Sequence, residues 1–449
     1  MAELIKLKKG LEIPMKGEAE KSFGQSSVGD YIGFNPDDFY GIVPKPALKP
    51  GDAVKVGTVL FYDKKKPDVK IVSPVSGTLE AINRGDRRKI LSIVVKNDKK
   101  GTKESLEKIN LNGSVEDIKK ALSDAGMFAF VKQRPYDVIA NPADTPKSIF
   151  ISAFDLAPLA ADYEFIFKDS QSDFQNGIDV LSKIAPVFVG VKNGTKTFAH
   201  VKNATVTAFE GKYPASNVGV QINNVQPINK GEIVWTIGAQ EVVYIGRFAA
   251  KGVIDFSKNV ALVGSEAYSN CYYKMVLGQK LSQILDCNVN KDTATIISGN
   301  PLSGSETTAN DYLAPFVNQI TVMKNGSDAN EFMGWIMPRP TTFSTSPSIL
   351  SSFVAKLIPS FKFNPDTRIL GGQRNMIMSG EYDKVTPMDI YMGYLIKAII
   401  AFDIDKMEAL GIYEVAPEDF AAAECVCSSK MELQRIVREG LDKLQKEMC

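Results

Sequence analysis

Histidine is almost missing from this chain of 449 residues; His200 is the only one. A Ser-His-Asp triad or a multi-histidine metal site would have to rest on that residue alone. It lies in the alternating stretch Thr197-Phe198-Ala199-His200-Val201 and reads as a strand-face residue. Cysteine is scarce too. Cys271, Cys287, Cys425, Cys427 and Cys449 include one C-x-C pair and none of the C-x-x-C spacings that zinc sites and iron-sulfur clusters use. So few and so unevenly placed, they suit a reducing cytoplasm. Neither sign of charge prevails, with 53 Lys+Arg against 52 Asp+Glu, so no nucleic-acid footprint is marked. Long apolar runs are missing as well. The most apolar stretch, Met388 to Phe402, is interrupted by Asp389 and Lys397 and is too short to span a bilayer. The opening residues lack a leader pattern, so the expectation is a soluble or peripheral protein that stays where it was made. The phosphate-cradling motifs G-x-G-x-x-G and G-x-x-x-x-G-K-[ST] are not found either.

What the chain does have is organised around Lys49 to Val95. Lys49-Pro50-Gly51-Asp52 and Ser76-Gly77 are turns, each followed by a short alternating strand. Val54 and Val56 face one side and Lys55 the other; Leu79 and Ala81 likewise oppose Thr78 and Glu80. Two such halves interlock as a barrel-sandwich hybrid, the shape of biotinyl and lipoyl carrier domains. The hairpin between them reads Asp63-Lys64-Lys65-Lys66-Pro67-Asp68. That run reads as a solvated turn, with a modified carrier lysine as the rival reading.

Before this module come a basic strand, Leu4 to Leu7, and a loop-like Gly24 to Gly33; after it Asn97 to Gly101 is a polar linker. Ser114 then caps a helix with Ile118, Ala121 and Leu122 on one face and Gly126 as its stop. Ser148 to Phe154 is a near-continuous apolar strand, Phe174, Ile178 and Leu181 stand at helical spacing, and Pro186 to Val191 is again a strand. This alternation predicts a Rossmann-like βαβ domain. Val260 to Thr321 reads as a small α+β unit around a helix from Gly278 to Cys287. The remainder is mostly helical, with one helix opened by Thr386-Pro387-Met388-Asp389 and a last one opened by Ser429-Lys430-Met431-Glu432.

Several stretches, in order along nearly the whole chain, resemble a known family. They are Lys8-Lys9-Gly10-Leu11 with Ile13-Pro14, the Lys49–Val95 module, and Phe128 to Tyr136 (Phe-Ala-Phe-Val-Lys-Gln-Arg-Pro-Tyr). Tyr213-Pro214 with Asn217-Val218-Gly219, Ser298 to Gly304, and Cys425-Val426-Cys427-Ser428-Ser429-Lys430 complete the set. The chain resembles the A subunit of the Na+-translocating NADH:quinone reductase, a bacterial sodium-pumping respiratory complex. The resemblance implies four units: a barrel-sandwich domain with the first strand over 1–100, and a Rossmann-like domain related to the flavin subunit of complex I over 101–255. A β-grasp (SLBB-like) domain over 256–335 and a helical C-terminal domain over 336–449 would follow. The related flavin subunits, and the C subunit of the Rnf complex, hold FMN with a loop of the form G-R-G-G-A-G-F-P. Here the place after Ala125-Gly126 reads Met127-Phe128-Ala129-Phe130-Val131-Lys132. Bulky side chains stand where close backbone approach to a phosphate needs glycine.

The resemblance therefore implies a cofactor-free subunit on the cytoplasmic side of the inner membrane, peripheral and docked on membrane subunits. FMN, FAD, riboflavin and iron-sulfur centres would belong to those partners, with quinone as the substrate that this subunit helps to bind. A non-catalytic scaffold, or a subunit of an Rnf-type complex, is the alternative. A quinone head is flat with two carbonyl acceptors, so it wants aromatic walls and a donor or two. Phe128, Phe130, Lys132 and Arg134 alternate on one parity and are the candidate quinone-binding residues; the same pattern also fits a strand edge with two core rings and two solvated cations. Asp155 and Asp162 occupy places where the flavin relatives keep acidic residues, but read as capping or turn residues. Cys425 and Cys427 read as inert thiols, Lys430 nearby being the one feature that favours redox activity.

Overall fold

In the computed structural model, the described residues are 3–326 apart from 291, then 339, 342–345, 351, 357–358, 360–377 and 380–448. The expected boundary at 335/336 and Cys449 lie outside them.

The Lys49–Val95 region builds two small sheets face to face. One pairs Tyr31–Phe34, Ile90–Asn97, Gly77–Arg84 and Ala53–Val54; the other pairs Pro44–Pro46, Val59–Asp63 and Lys70–Val72. Val54, Val56, Leu60, Phe61, Ile71, Leu79, Ile93 and Val95 fill the space between them. The inward-outward alternation of the sequence thus becomes a sandwich core. Tyr31–Phe34 is a strand paired with Ile90–Asn97, so the loop expected to run to Gly33 ends earlier. Lys66 turns its ammonium back to the Ile139 carbonyl at 3.3 Å, while Lys64 and Lys65 are exposed.

The central sheet has seven strands in the order Glu3–Lys6, Thr205–Glu210, Val187–Lys192, Ser148–Ser152, Val234–Thr236, Lys132–Arg134 and Val138–Ile139. The first five are parallel, and the last two form an antiparallel hairpin on their edge. The strand near Leu4 therefore belongs to this sheet and not to the barrel: Glu3 to Lys6 run beside Thr207 to Glu210. Ile149, Ile151, Val189 and Trp235 are buried, as strands covered on both faces require. The helix Val115–Asp124 starts with a reciprocal cap. The Ser114 hydroxyl accepts from the Asp117 amide at 3.1 Å, and the Asp117 carboxylate accepts from the Ser114 amide at 3.1 Å. The helices Gln171–Leu181 and Ala239–Lys251 touch backbone to backbone. A Cβ on Gly246 would lie 1.7 Å from the Asp173 carbonyl oxygen, and one on Gly177 2.3 Å from that of Val242.

A five-stranded mixed sheet follows, in the order Tyr272–Val276, Ser257–Val263, Gln319–Lys324, Ala294–Ser298 and Ser305–Thr307. The helix expected from Gly278 to Cys287 shrinks to Ser282–Leu285. The last third packs Glu381–Val385, Met392–Ala401, Ile404–Ala409, Ala421–Val426 and Leu433–Met448 around Leu395, Ile396, Phe420, Val437, Leu441 and Leu444. Pro387 does not open a helix, because the Asp389 amide is taken by the Asn223 side chain at 3.0 Å and regular turns begin at Met392. Ser429 does not cap the last helix either; its hydroxyl donates to the Asn375 carbonyl, 3.0 Å away. His200 is exposed in a turn and not on a strand face. Among the described residues no helix is long and apolar enough to cross a membrane.

Candidate functional site at the sheet's switch point

From Ser148–Ser152 the chain moves first to one side, through Val187–Lys192 and Thr205–Glu210, and then crosses to the other side for Val234–Thr236. The order of strands reverses between Ser148–Ser152 and Val234–Thr236. Loops leaving the carboxyl ends of two parallel strands diverge at such a reversal and leave a crevice. Here the crevice is a cavity of about 190 Å³. The first strand contributes Ser152, Phe154 and Asp155, and the second Thr236, Ile237 and Gly238. Phe130, Lys132 and Asp137 come from the neighbouring edge, Asn300, Ser303, Phe316 and Asn318 from the five-stranded unit, and Glu418 from the helical region.

The four residues singled out in the sequence divide at this cavity. Phe128 and Phe130 sit in a single-turn helix, Met127–Phe130, and not on a strand, so their alternation does not set a common face. All four residues of that turn are buried. Phe128 packs edge-on against Trp235, its ring centre 5.5 Å away, behind the cavity wall. Phe130 forms part of the wall and is backed by Phe256 and Tyr244, at 5.1 and 5.4 Å. Lys132 lines the cavity with its ammonium 4.7 Å over the Phe316 ring and 4.0 Å from the Asp137 carboxylate. Arg134 is fully buried away from the cavity lining. It donates to the Glu414 carbonyl at 2.8 Å and to the Asp419 carboxylate at 3.1 Å, joining the sheet edge to the helical region. The peptide bonds Arg134–Pro135 and Tyr213–Pro214 are both cis.

Carboxyl groups outnumber cations in the lining, four to one. Asp155 keeps the turn role read from the sequence, accepting from the Ala157 amide at 2.8 Å, and also faces the cavity; burial raises its pKa against these hydrogen bonds. Asp162 caps the short helix Tyr163–Ile166. Asp137 is desolvated, yet Lys132, Arg134 and Arg438 hold its carboxyl below the usual carboxylate range. Glu241 is paired at 3.0 Å with Lys258, which also donates to the Pro315 carbonyl at 2.8 Å and so ties helix to sheet. Glu418 is pushed up to about 7 by burial and by the adjoining Asp419 carboxylate. Tyr163 and Tyr213 are raised by desolvation as well.

This lining does not fit a flavin mononucleotide. A phosphate at a switch point is held by backbone amides at a helix start. At the start of Ala239–Lys251 that space is filled by the helix's own Glu241, whose Oε2 would lie 2.0 Å from a Cβ on Gly238. Donors and rings suit a small, flat, neutral acceptor better. The sequence pointed to Phe130 and Lys132, whereas Asp155 read as a turn residue, and Glu418 and Phe316 were hidden because only tertiary folding brings them there.

Cys427 is buried with its sulfur 2.9 Å from the Tyr382 hydroxyl. Burial raises the Cys425 thiol, the reverse of what a reactive cysteine needs.

The fold and the site thus define a multidomain α/β chain, with a barrel-sandwich domain and a crevice at the switch point of its central sheet. Family models match three stretches: the NqrA N-terminal barrel-sandwich hybrid domain over 5–98, the NqrA second alpha/beta domain over 114–254, and the NQRA C-terminal domain over 259–309. The A subunit of the Na+-translocating NADH-quinone reductase of Pasteurella multocida is 33% identical, the alignment covering 99% of this chain and all of that one. Its counterpart from Neisseria meningitidis serogroup B is 34% identical over the same shares. The chain belongs to this family, the A subunits of the Na+-translocating NADH-quinone reductase. A chain of NAD+-reducing [NiFe]-hydrogenase in the air-oxidized state aligns over 74% of this chain and 61% of its own. At 11% identity and a TM-score of 0.38 that likeness carries no weight.

Proposed function

We propose that this chain is a peripheral subunit of a sodium-pumping NADH:quinone reductase and that its switch-point crevice binds the quinone ring. In this reading it docks on the membrane subunits from the cytoplasmic side and carries no electron carrier of its own; flavins and iron-sulfur centres belong to its partners. The division into units ending near residues 100, 255 and 335 is part of the reading. The separate sheets support it, except that Glu3–Lys6 joins the second unit's sheet. The observation that carries the proposal is the pairing of an aromatic wall, Phe130 and Phe316, with the Lys132 ammonium in one cavity. Phe130 and Lys132 would contact the ring, while Phe128 and Arg134 support that wall from behind.

An aromatic contact is worth about 1 kcal/mol and a charge-assisted hydrogen bond about 2 kcal/mol. Phe130→Ala and Lys132→Met should therefore weaken quinone binding roughly fivefold and thirtyfold, measured by quinone titration of the assembled complex. Thermal melting recorded alongside separates this from core damage, since deleting a buried Phe costs about 3–5 kcal/mol. Unchanged quinone affinity in both variants, with the complex intact, would return the chain to a scaffold role.

A further inference from the structure

Four carboxyl groups line the crevice, and three are already committed. Asp155 accepts backbone and hydroxyl hydrogen bonds, Glu241 is locked to Lys258, and Asp137 faces three cations. Glu418 differs. Among the described residues no hydrogen bond reaches its carboxyl oxygens, and its nearest cation is the Arg134 guanidinium at 3.6 Å, beyond hydrogen-bonding range. The turn that carries it, Pro417–Phe420, is held by its neighbours instead. Asp419 takes the Arg134 guanidinium and the Ala416 amide, at 3.1 and 2.8 Å, and Asn217 donates to the Glu418 carbonyl at 3.1 Å. Asp419 is fully buried, whereas the Glu418 side chain keeps 46% of its surface accessible although protein surrounds it. A fixed backbone therefore presents one carboxyl, unpartnered by hydrogen bonds, to the same space as Phe130 and Lys132.

We propose that Glu418 is a catalytic residue of quinone reduction that delivers a proton to a ring oxygen in the crevice. The inference rests on the quinone reading above. Reduction of the ring takes two electrons, which NADH gives up and the partner subunits relay, and two protons. As one quinone oxygen gains its O–H bond, the Glu418 O–H bond breaks and leaves a carboxylate. Two protons from the medium, one of them released as NADH becomes NAD+, balance the step: one enters at the accessible side of the residue and restores the acid, and the other goes to the second ring oxygen. The surroundings suit both states. Burial, Asp419 and Asp137 favour the acid, while Lys132 and Arg134 stabilise the carboxylate, so its ionisation falls near neutral pH.

The test uses the assembled complex and measures quinone Kd and kcat between about pH 5.5 and 9. Glu418→Gln keeps the shape and removes the exchangeable acid. Its Kd should stay within about twofold, while kcat falls roughly a hundredfold or more and the pH profile loses an ionisation near neutrality. Glu418→Asp should recover part of kcat and restore an ionisation to the profile. If Glu418→Gln does not assemble, Glu418→Asp carries the test alone through a lowered kcat at unchanged Kd. Wild-type kcat and pH profile at unchanged Kd, in whichever variant is measured, overturn the proton role and leave quinone binding standing. Loss of the quinone reading itself shows differently, as unaltered Kd in Phe130→Ala and Lys132→Met.

Discussion

Replacing Arg134 by methionine would remove the one cation that, among the described residues, is hydrogen-bonded to the buried Asp419, and leave that carboxylate without its ion pair. Breaking such a pair from one side costs about 3–5 kcal/mol. The Glu414 carbonyl would lose its donor too, for about 1 kcal/mol more. The retained Ala416 amide, at 2.8 Å from Asp419, offsets part of this, so about 4 kcal/mol is expected. A chain of several packed units does not unfold in one step, so a global midpoint is the wrong measure. Amide exchange across Pro417–Phe420 and Ala421–Val426 reads the local opening instead. Each 1.4 kcal/mol is tenfold, so exchange there should speed up from roughly a hundredfold to a few thousandfold. Arg134→Met/Asp419→Asn removes both charges and should bring back more than half of that loss. A change under about tenfold in the single variant would show that the buried pair is not what holds the helical region to the sheet. A double variant as labile as the single one would refute the uncompensated charge as the cause.

Two further perturbations have signed outcomes. Gly246→Ala sets a methyl against the Asp173 carbonyl and should cost about 1–3 kcal/mol by overpacking, read as faster amide exchange across Gln171–Leu181 and Ala239–Lys251, whereas Gly372→Ala, with open space around it, should not show that clash. Asp38 is raised from 3.8 to about 7 by burial and by the Asp37 and Asp311 carboxylates. Between those values the folded chain holds a proton that the unfolded chain has lost, so stability should fall as pH rises through that window. Asp38→Asn should flatten that fall; an unchanged pH slope of the amide-exchange protection factors across Tyr31–Phe34 would remove Asp38 as its source.

Local rules were legible wherever one period decided burial. Val54 and Val56 alternate with Lys55 inside the sandwich, and Phe174, Ile178 and Leu181 face the core from one helix. Legibility failed where burial was continuous or the partner distant. Met127 to Phe130 are buried without a break, so a strand and a tight helix predict the same apolar letters. The strand near Leu4 could not announce Thr205–Glu210, some two hundred positions away, as its neighbour. The site followed the same division. Lys132 and Phe130 stand close together in sequence and were found as a pair, yet Arg134, on the same parity, turns to Asp419 instead of the cavity. Parity fixes which side of a strand a residue leaves from, but not what waits on that side.

The crevice itself owes nothing to the residues that line it. It exists because strand order reverses between Ser148–Ser152 and Val234–Thr236, and any side chains placed there would border a gap. What the lining decides is the charge of the occupant. Glycines and free helix-start amides would suit a phosphate. Glu241 folded against Gly238 fills the place an anion would take. A neutral ring needs no such amides and depends on flat walls, a donor and access to protons. Phe130 with Phe316, Lys132 and Glu418 offer those three in turn. A switch-point crevice can therefore be suited to one ligand or another through a handful of side chains, with no strand moved.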